Sequence, residues 1–203
     1  MEAGTVKFHY ESDGRERGAF PGFEELNAAR QELRRLGLLG VDENNVGFGN
    51  VSLRDGATES FYITGSGTGA FPALTPKDYA KVVAWDFERN WLRSEGRATA
   101  SAESLTHAAV YSMDAEVLFV VHGHDRRLWQ SLRERGCATD QNVPYGTPEM
   151  ARDVQRLFRE TDVRTSKIFA MAGHRDGIVA FGRDLRQALA ALAAARAESK
   201  GMR

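Results

Sequence analysis

The spacing of apolar residues changes several times along the chain, and each change predicts an element. From Pro21 the run FEELNAARQELRRLGLLG places Phe23, Leu26, Ala29, Leu33 and Leu36 on one helical face, with Gly37 as the C′ stop. FGNVSLRDG and ESFYITGSG read as two short strands around an Asp55-Gly56 turn. TPKDYAKVV and GTPEMARDVQRLFRE both carry Thr-Pro, which opens helices because proline's missing N–H costs nothing in a first turn. Between these two helices the pattern predicts a strand over Val82-Phe87, a helix that Ser101 would cap (SAESLTHAAVYSM), and a buried strand, Val117 to Val121, ending in His-Gly-His. SKIFAMAGHRDGIVAFG alternates as two strands about an Arg175-Asp176-Gly177 turn, and a last helix runs from Asp184 to about Glu198. The order α-β-β-α-β-α-β-α-β-β-α, with hairpins rather than repeated crossovers, predicts a largely antiparallel sheet with helices packed on it. The first twenty residues pattern weakly. A short strand over Val6-Tyr10 precedes a polar, glycine-containing stretch to which no function is assigned.

A length of 203 residues suits one domain, 21–203, behind an N-terminal extension, 1–20. No internal repeat, low-complexity tract or proline-rich linker divides it. Lys+Arg 27 against Asp+Glu 28 leaves a net charge of −1, so no basic excess points to nucleic acid or an anionic membrane. No apolar run approaches the roughly eighteen residues of a membrane span, and the N-terminus lacks the apolar core of a secretion signal. The single cysteine, Cys137, excludes an intramolecular disulfide and fits a reducing compartment, so the expected location is cytoplasmic.

Candidate chemistry begins at the His-Gly-His strand end. A strand repeats every two residues, so His122 and His124 share a face and Gly123 points away. A lone histidine on an apolar strand is usually a hydrogen-bonded core residue, but burying two neighbouring imidazoles is costly unless something satisfies both. His174 lies near another glycine turn, and three imidazoles with an open position suit a catalytic zinc. Glu103, in the first turn of the helix upstream, is the expected carboxylate, held as the anion by the helix dipole. His107, four residues on, reads as core or as a residue beside the site, and His9 as surface. TGSGTGA (Thr64 to Ala70) follows a strand and could present backbone N–H groups to an anion. It lacks a P-loop lysine and the G-x-G-x-x-G spacing, so a flexible loop remains the alternative, and Arg54, Lys77 and Arg97, nearby in sequence, read as solvated surface, as most arginines and lysines do.

Assembled in order, these pieces resemble the class II aldolase/adducin head family: GNVSLR (49–54), ITGSG (63–67), ASAESLTHAAVY (100–111), VVHGH (120–124), YGTPEMA (145–151) and GHRDGIVAFG (173–182). The resemblance implies a three-layer α/β/α sandwich with a central, mostly antiparallel sheet. It implies a zinc ion held by His122, His124 and His174, although such donors also suit manganese or cobalt. It makes Glu103 the acid/base that moves a proton as a metal-stabilised enediolate forms or collapses. The related pentulose-phosphate 4-epimerases usually carry aspartate there, so glutamate points to carbon–carbon cleavage. The family's phosphate site maps onto Asn50, Ser66, Gly67 and Ser101, with Ala102 where the aldolases usually have serine. One hydrogen bond lost to a charged group costs about 1.5–3 kcal/mol, so the bound anion is a phosphate or a carboxylate. The segment Asp125 to Pro144 is also shorter than in the aldolases and lacks the tyrosine that reaches a neighbouring subunit's site; no tyrosine follows Tyr145.

The expected function is a zinc-dependent lyase (aldolase) acting on a small hydroxy-carbonyl or sugar-phosphate substrate, assembled as a homotetramer. Two alternatives stand beside it: a metal-dependent epimerase, dehydratase or decarboxylase on the same scaffold, and a non-catalytic binding module like the adducin head.

Overall fold

The structure is a computed structural model that describes residues 5–43 and 46–201. Its elements are β1 (His9–Ser12), α1 (Phe23–Arg35), β2 (Gly40–Val41), β3 (Gly47–Phe48), β4 (Asn50–Arg54), β5 (Phe61–Thr64), β6 (Tyr79–Asp86), β7 (Trp91–Glu95), α2 (Ser104–Met113), β8 (Phe119–His124), α3 (Arg126–Glu134), α4 (Pro148–Glu160), α5 (Val163–Ser166), β9 (Ile168–Ala170), β10 (Gly177–Gly182) and α6 (Leu185–Gly201). Eight strands form one sheet in the order β1-β7-β6-β5-β4-β8-β10-β9, and β2 and β3 pair separately. Every pairing in the large sheet is antiparallel except β1 with β7.

Strand alternation explains the three layers. On one face Phe61, Ile63, Val120, Val179 and Phe181 pack with Leu105, Ala108 and Ala109 of α2 and with Met150, Val154 and Leu157 of α4. On the other face Val51, Leu53, Tyr62, Val121, Ile178 and Ala180 pack with Leu26, Ala29 and Leu33 of α1, Leu128 and Leu132 of α3, and Leu192 of α6. His122 and His124 share the parity of Val120, so they continue the α2 and α4 face past the end of its apolar core. This is the α/β/α sandwich with a mostly antiparallel sheet that the sequence predicted.

Several local expectations change. The Thr75-Pro76 start opens only a single 3-10 turn, Pro76–Asp78, in which Asp78 Oδ2 accepts from Thr75 N at 2.7 Å and Thr75 Oγ1 at 2.7 Å. The chain then enters β6, because Tyr79, Ala80 and Val82 are buried between β5 and β7. The helix after Ser101 starts at Ser104, with Ser101 O accepting from Ser104 N at 3.0 Å. The 125–144 segment holds α3, whose N-cap Asp125 accepts from Leu128 N at 3.0 Å. The strand expected over Val6-Tyr10 is β1, shifted to His9–Ser12, and it joins the sheet as an edge. Phe8 and Phe20 are buried in the two cores, so this N-terminal stretch packs on both of them. Its first four residues lie outside the described residues.

Candidate functional site

Two segments, the end of β8 and the turn before β10, deliver the imidazoles to one place. Register sets His122 beside Asn50 of β4 and Val179 of β10, and His124 opposite Gly177. His174 stands in the turn before β10, with its N–H donating to Met171 O at 2.9 Å. Gly177 makes the convergence possible: a Cβ there would lie 3.1 Å from His174 Cγ and 3.2 Å from His122 Cε1. The ring centroids are 5.2 Å apart for His122 and His124, 5.1 Å for His122 and His174, and 4.8 Å for His124 and His174. One nitrogen from each ring lies within 4.8 Å of the others.

Their hydrogen bonding fits a metal. His122 Nδ1 is 3.1 Å from the Ile178 carbonyl, which only accepts, so Nδ1 carries the proton and Nε2 keeps its lone pair. His124 Nε2 and His174 Nδ1 are buried and have no hydrogen-bond partner among the described residues. An imidazole nitrogen buried without a partner is costly, and a cation would satisfy it. Burial pushes His122 and His124 down to about 4 and His174 well below its usual value, with the neighbouring histidines lowering His124 and His174 further. Near neutral pH all three are therefore uncharged, the form in which histidine binds metal. A site of three imidazoles is the donor set that zinc prefers.

Glu103 is buried just ahead of α2. Its Oε2 accepts from Asn50 Nδ2 at 2.8 Å and from Ser101 Oγ at 3.0 Å, while Oε1 lies 3.8 Å from His174 Nδ1. The helix start was expected to hold this carboxyl as the anion, but burial pushes its pKa up, with the hydrogen bonds from Ser101 and Asn50 opposing the rise. Asn50 spends its amide nitrogen on Glu103, which leaves Oδ1 buried and unpartnered among the described residues.

The expected anion wall lies across the same cleft. Gly65 bridges Ala100, and Ser66 N donates to Thr99 O at 2.8 Å, which sets the glycine loop alongside Ser101. Gly67 takes a positive φ of 75° and opens the 3-10 turn Thr68–Ala70. Asn50, Ser66, Gly67, Ser101, Glu103 and the three histidines all line one cleft, and Ala102 lines it too. Arg54 does not belong to this wall. It is buried at the far end of the interior strand β4, donating to the carbonyls of Val117 and Tyr111 at 2.8 Å. His107 is core: its Nδ1 meets Ser52 Oγ at 2.7 Å.

Sequence reasoning missed several neighbours. Phe48 stacks on His124 at 4.9 Å, Tyr145 lies 4.6 Å from His174, and Asp42 and Asp176 raise the His124 pKa by their charge. Phe48 and Asp42 come from the small hairpin, whose two-residue strands leave almost no periodic signal.

The family model of the class II aldolase and adducin N-terminal domain matches residues 31–197. By sequence, no curated protein matches. Among solved structures, an L-fuculose 1-phosphate aldolase superposes with a TM-score of 0.66 at 18% identity, over 90% of this chain and 85% of that one. The L-fuculose-1-phosphate aldolase of Thermus thermophilus gives 0.59 at 22% identity, over 88% and 90%. YgbL of Escherichia coli, described as a candidate aldolase/epimerase/decarboxylase, gives 0.63 at 20% identity, over 88% and 86%. Helices long and apolar enough to cross a membrane are absent among the described residues.

Proposed function

Because the chain belongs to the class II aldolase and adducin N-terminal domain family, we propose that it is a metal-dependent aldehyde-lyase. It would make or break a carbon–carbon bond in a small hydroxy-carbonyl or sugar-phosphate substrate. The observation that carries this reading is the meeting of three neutral imidazoles with one buried carboxyl in a single cleft. His122, His124 and His174 would hold the divalent ion, zinc by donor type, and Glu103 borders them. Such an ion supplies Lewis-acid polarisation of a carbonyl and its neighbouring hydroxyl.

The chain's own residues divide the remaining work. Asn50 and Ser101 fix Oε2 of Glu103 and leave Oε1 toward the imidazoles as the atom that takes and returns a proton. A carboxyl whose pKa is raised by burial holds a proton more readily than a solvated one, which suits a group that must both accept and donate. Ser66, Gly67 and Ser101, with Asn50 joining them to Glu103, would bind the substrate's anionic end. The working form in this reading is a cytoplasmic homotetramer with sites between adjacent subunits.

A second reading keeps the same residues but changes the reaction to epimerisation, dehydration or decarboxylation. The absence of tyrosine between Asp125 and Pro144 favours it, since no aldolase-type donor stands in that segment. Metal content per chain tests both readings at their common root. Native protein purified without added metal is expected to hold about one zinc, lost in His122→Ala and in His174→Ala. A native protein that takes up no metal even after incubation with zinc would sink both readings in favour of a binding module. With metal present, retro-aldol turnover of ketose phosphates separates the first reading from the second.

A further inference from the structure

Lys7 lies outside the residues 31–197 that the family model matches, yet its side chain reaches the wall of the histidine cluster. Its backbone is anchored on both sides. Asn90 Nδ2 donates to Lys7 O at 2.9 Å, and the adjoining Phe8 is buried in the core. Two residues further on, Tyr10 Oη donates to Ala98 O at 3.1 Å and accepts from Ala100 N at 3.4 Å, which ties β1 to the segment leading into Ser101.

From that base the ammonium makes two contacts with one residue. It donates to the Tyr145 carbonyl at 3.0 Å and sits 3.5 Å from the centroid of the Tyr145 ring. A cation that close to a ring centroid is attracted by the negative face of the π system. The Tyr145 ring lies 4.6 Å from the His174 ring at 36°. Gly146 closes the arrangement: it takes φ 69°, and a Cβ there would meet Ala102 O at 3.3 Å and Lys7 Cβ at 3.6 Å. The Tyr145-Gly146 turn is thus confined between Lys7 and the segment carrying Ser101 and Glu103.

We propose that Lys7 is a positioning residue of the centre: it clamps Tyr145 against His174 and so fixes the imidazole whose Nδ1 lies beside Glu103. The inference rests on reading the three histidines as a metal site. A lysine that only steadied a surface turn would affect folding and nothing else. A clamp also sets how well His174 is presented, so its loss weakens metal binding without unfolding the chain.

The test uses the whole protein as Lys7→Met, Lys7→Arg, Tyr145→Leu and the Lys7→Met/Tyr145→Leu double variant. Lys7→Gln serves as a second charge-removing variant should Lys7→Met fail to fold by circular dichroism. Zinc affinity is read in chelator-buffered titrations, and the His174 imidazole proton resonances are read in metal-free protein, assigned by their loss in His174→Ala. Lys7→Met and Tyr145→Leu are each expected to weaken zinc binding about tenfold. The double variant should be no weaker than either, and Lys7→Arg, which can both donate and stack, should restore it. In metal-free protein both single variants should shift the His174 resonances by removing or moving the Tyr145 ring current. Unchanged zinc affinity in Lys7→Met, or unchanged His174 resonances, would overturn the clamp. A native protein that binds no zinc, while Lys7→Met still shifts those resonances, would keep the clamp and refute the metal reading.

Discussion

Glu103 is unlike an ordinary buried carboxylate in the asymmetry of its two oxygens. Asn50 and Ser101 both donate to Oε2, and Oε1 is left facing His174 at 3.8 Å. A group meant only to stabilise the fold gains nothing from leaving an oxygen toward three imidazoles, whereas a proton carrier needs one. Glu103→Gln keeps the shape and the acceptor for Asn50 and Ser101 while removing the ionisable oxygen. It should leave metal content unchanged and lower turnover by about 10²- to 10⁴-fold, the range of a lost general acid/base. Steady-state kinetics and elemental analysis on the same preparation decide the matter. Full turnover with metal intact would remove Glu103 from the chemistry.

Helix α1 does more than cover one face of the sheet. Arg30, fully buried, donates from Nη2 to Thr68 O at 2.8 Å and Phe71 O at 2.6 Å. Arg34 donates to Gly69 O at 2.6 Å and Gln31 to Pro72 O at 2.8 Å. One helix face therefore grips the backbone of the glycine-rich loop by its carbonyls. Behind the loop stands the small hairpin, so close that a Cβ on Gly69 would lie 2.4 Å from Gly40 O. Arg30→Met leaves two carbonyls without their charged donor and should cost about 2–4 kcal/mol, read as a lowered urea midpoint. An unchanged midpoint would mean that the hairpin alone holds the loop. The element scale is also where sequence reading succeeded and failed. α1 and α4 carry sustained 3.6-residue periodicity, α6 was legible as a run rich in alanine and leucine, and the histidine pair was legible because a strand's period of two fixes which side chains share a face. Thr75-Pro76 misled because the same capping chemistry serves one 3-10 turn as well as a helix. α3 carried its signal in Asp125, Leu128 and Leu132, but over only nine residues. The grip of Arg30 on residue 71 and the reach of Lys7 to Tyr145, 138 positions away, leave no local pattern to read.

For the molecule as a whole, the buried imidazoles couple folding to pH. His107, His122, His124 and His174 all have pKa values lowered by burial, to about 4 for His122 and His124. In the unfolded chain each would titrate near 6.5. As pH falls below about 6.5 the unfolded chain therefore takes up protons that the folded chain refuses, and stability falls, for His122 and His124 until their folded values near 4 are reached. Each histidine contributes at most about 1.4 kcal/mol per pH unit across that window. Glu103 acts in the opposite sense. Its raised pKa makes the folded chain bind a proton before the unfolded one does, so its share of stability grows as pH falls toward the usual carboxylate range. One carboxyl opposes four imidazoles, and the net slope favours neutral pH. Chelator-treated protein should therefore lose urea stability steadily from pH 7 to pH 5, and His122→Ala, with one fewer buried imidazole, should show a shallower slope. A flat profile over that range would mean that the imidazoles are not held neutral and buried, and the argument that the cluster presents free lone pairs to a cation would fall with it.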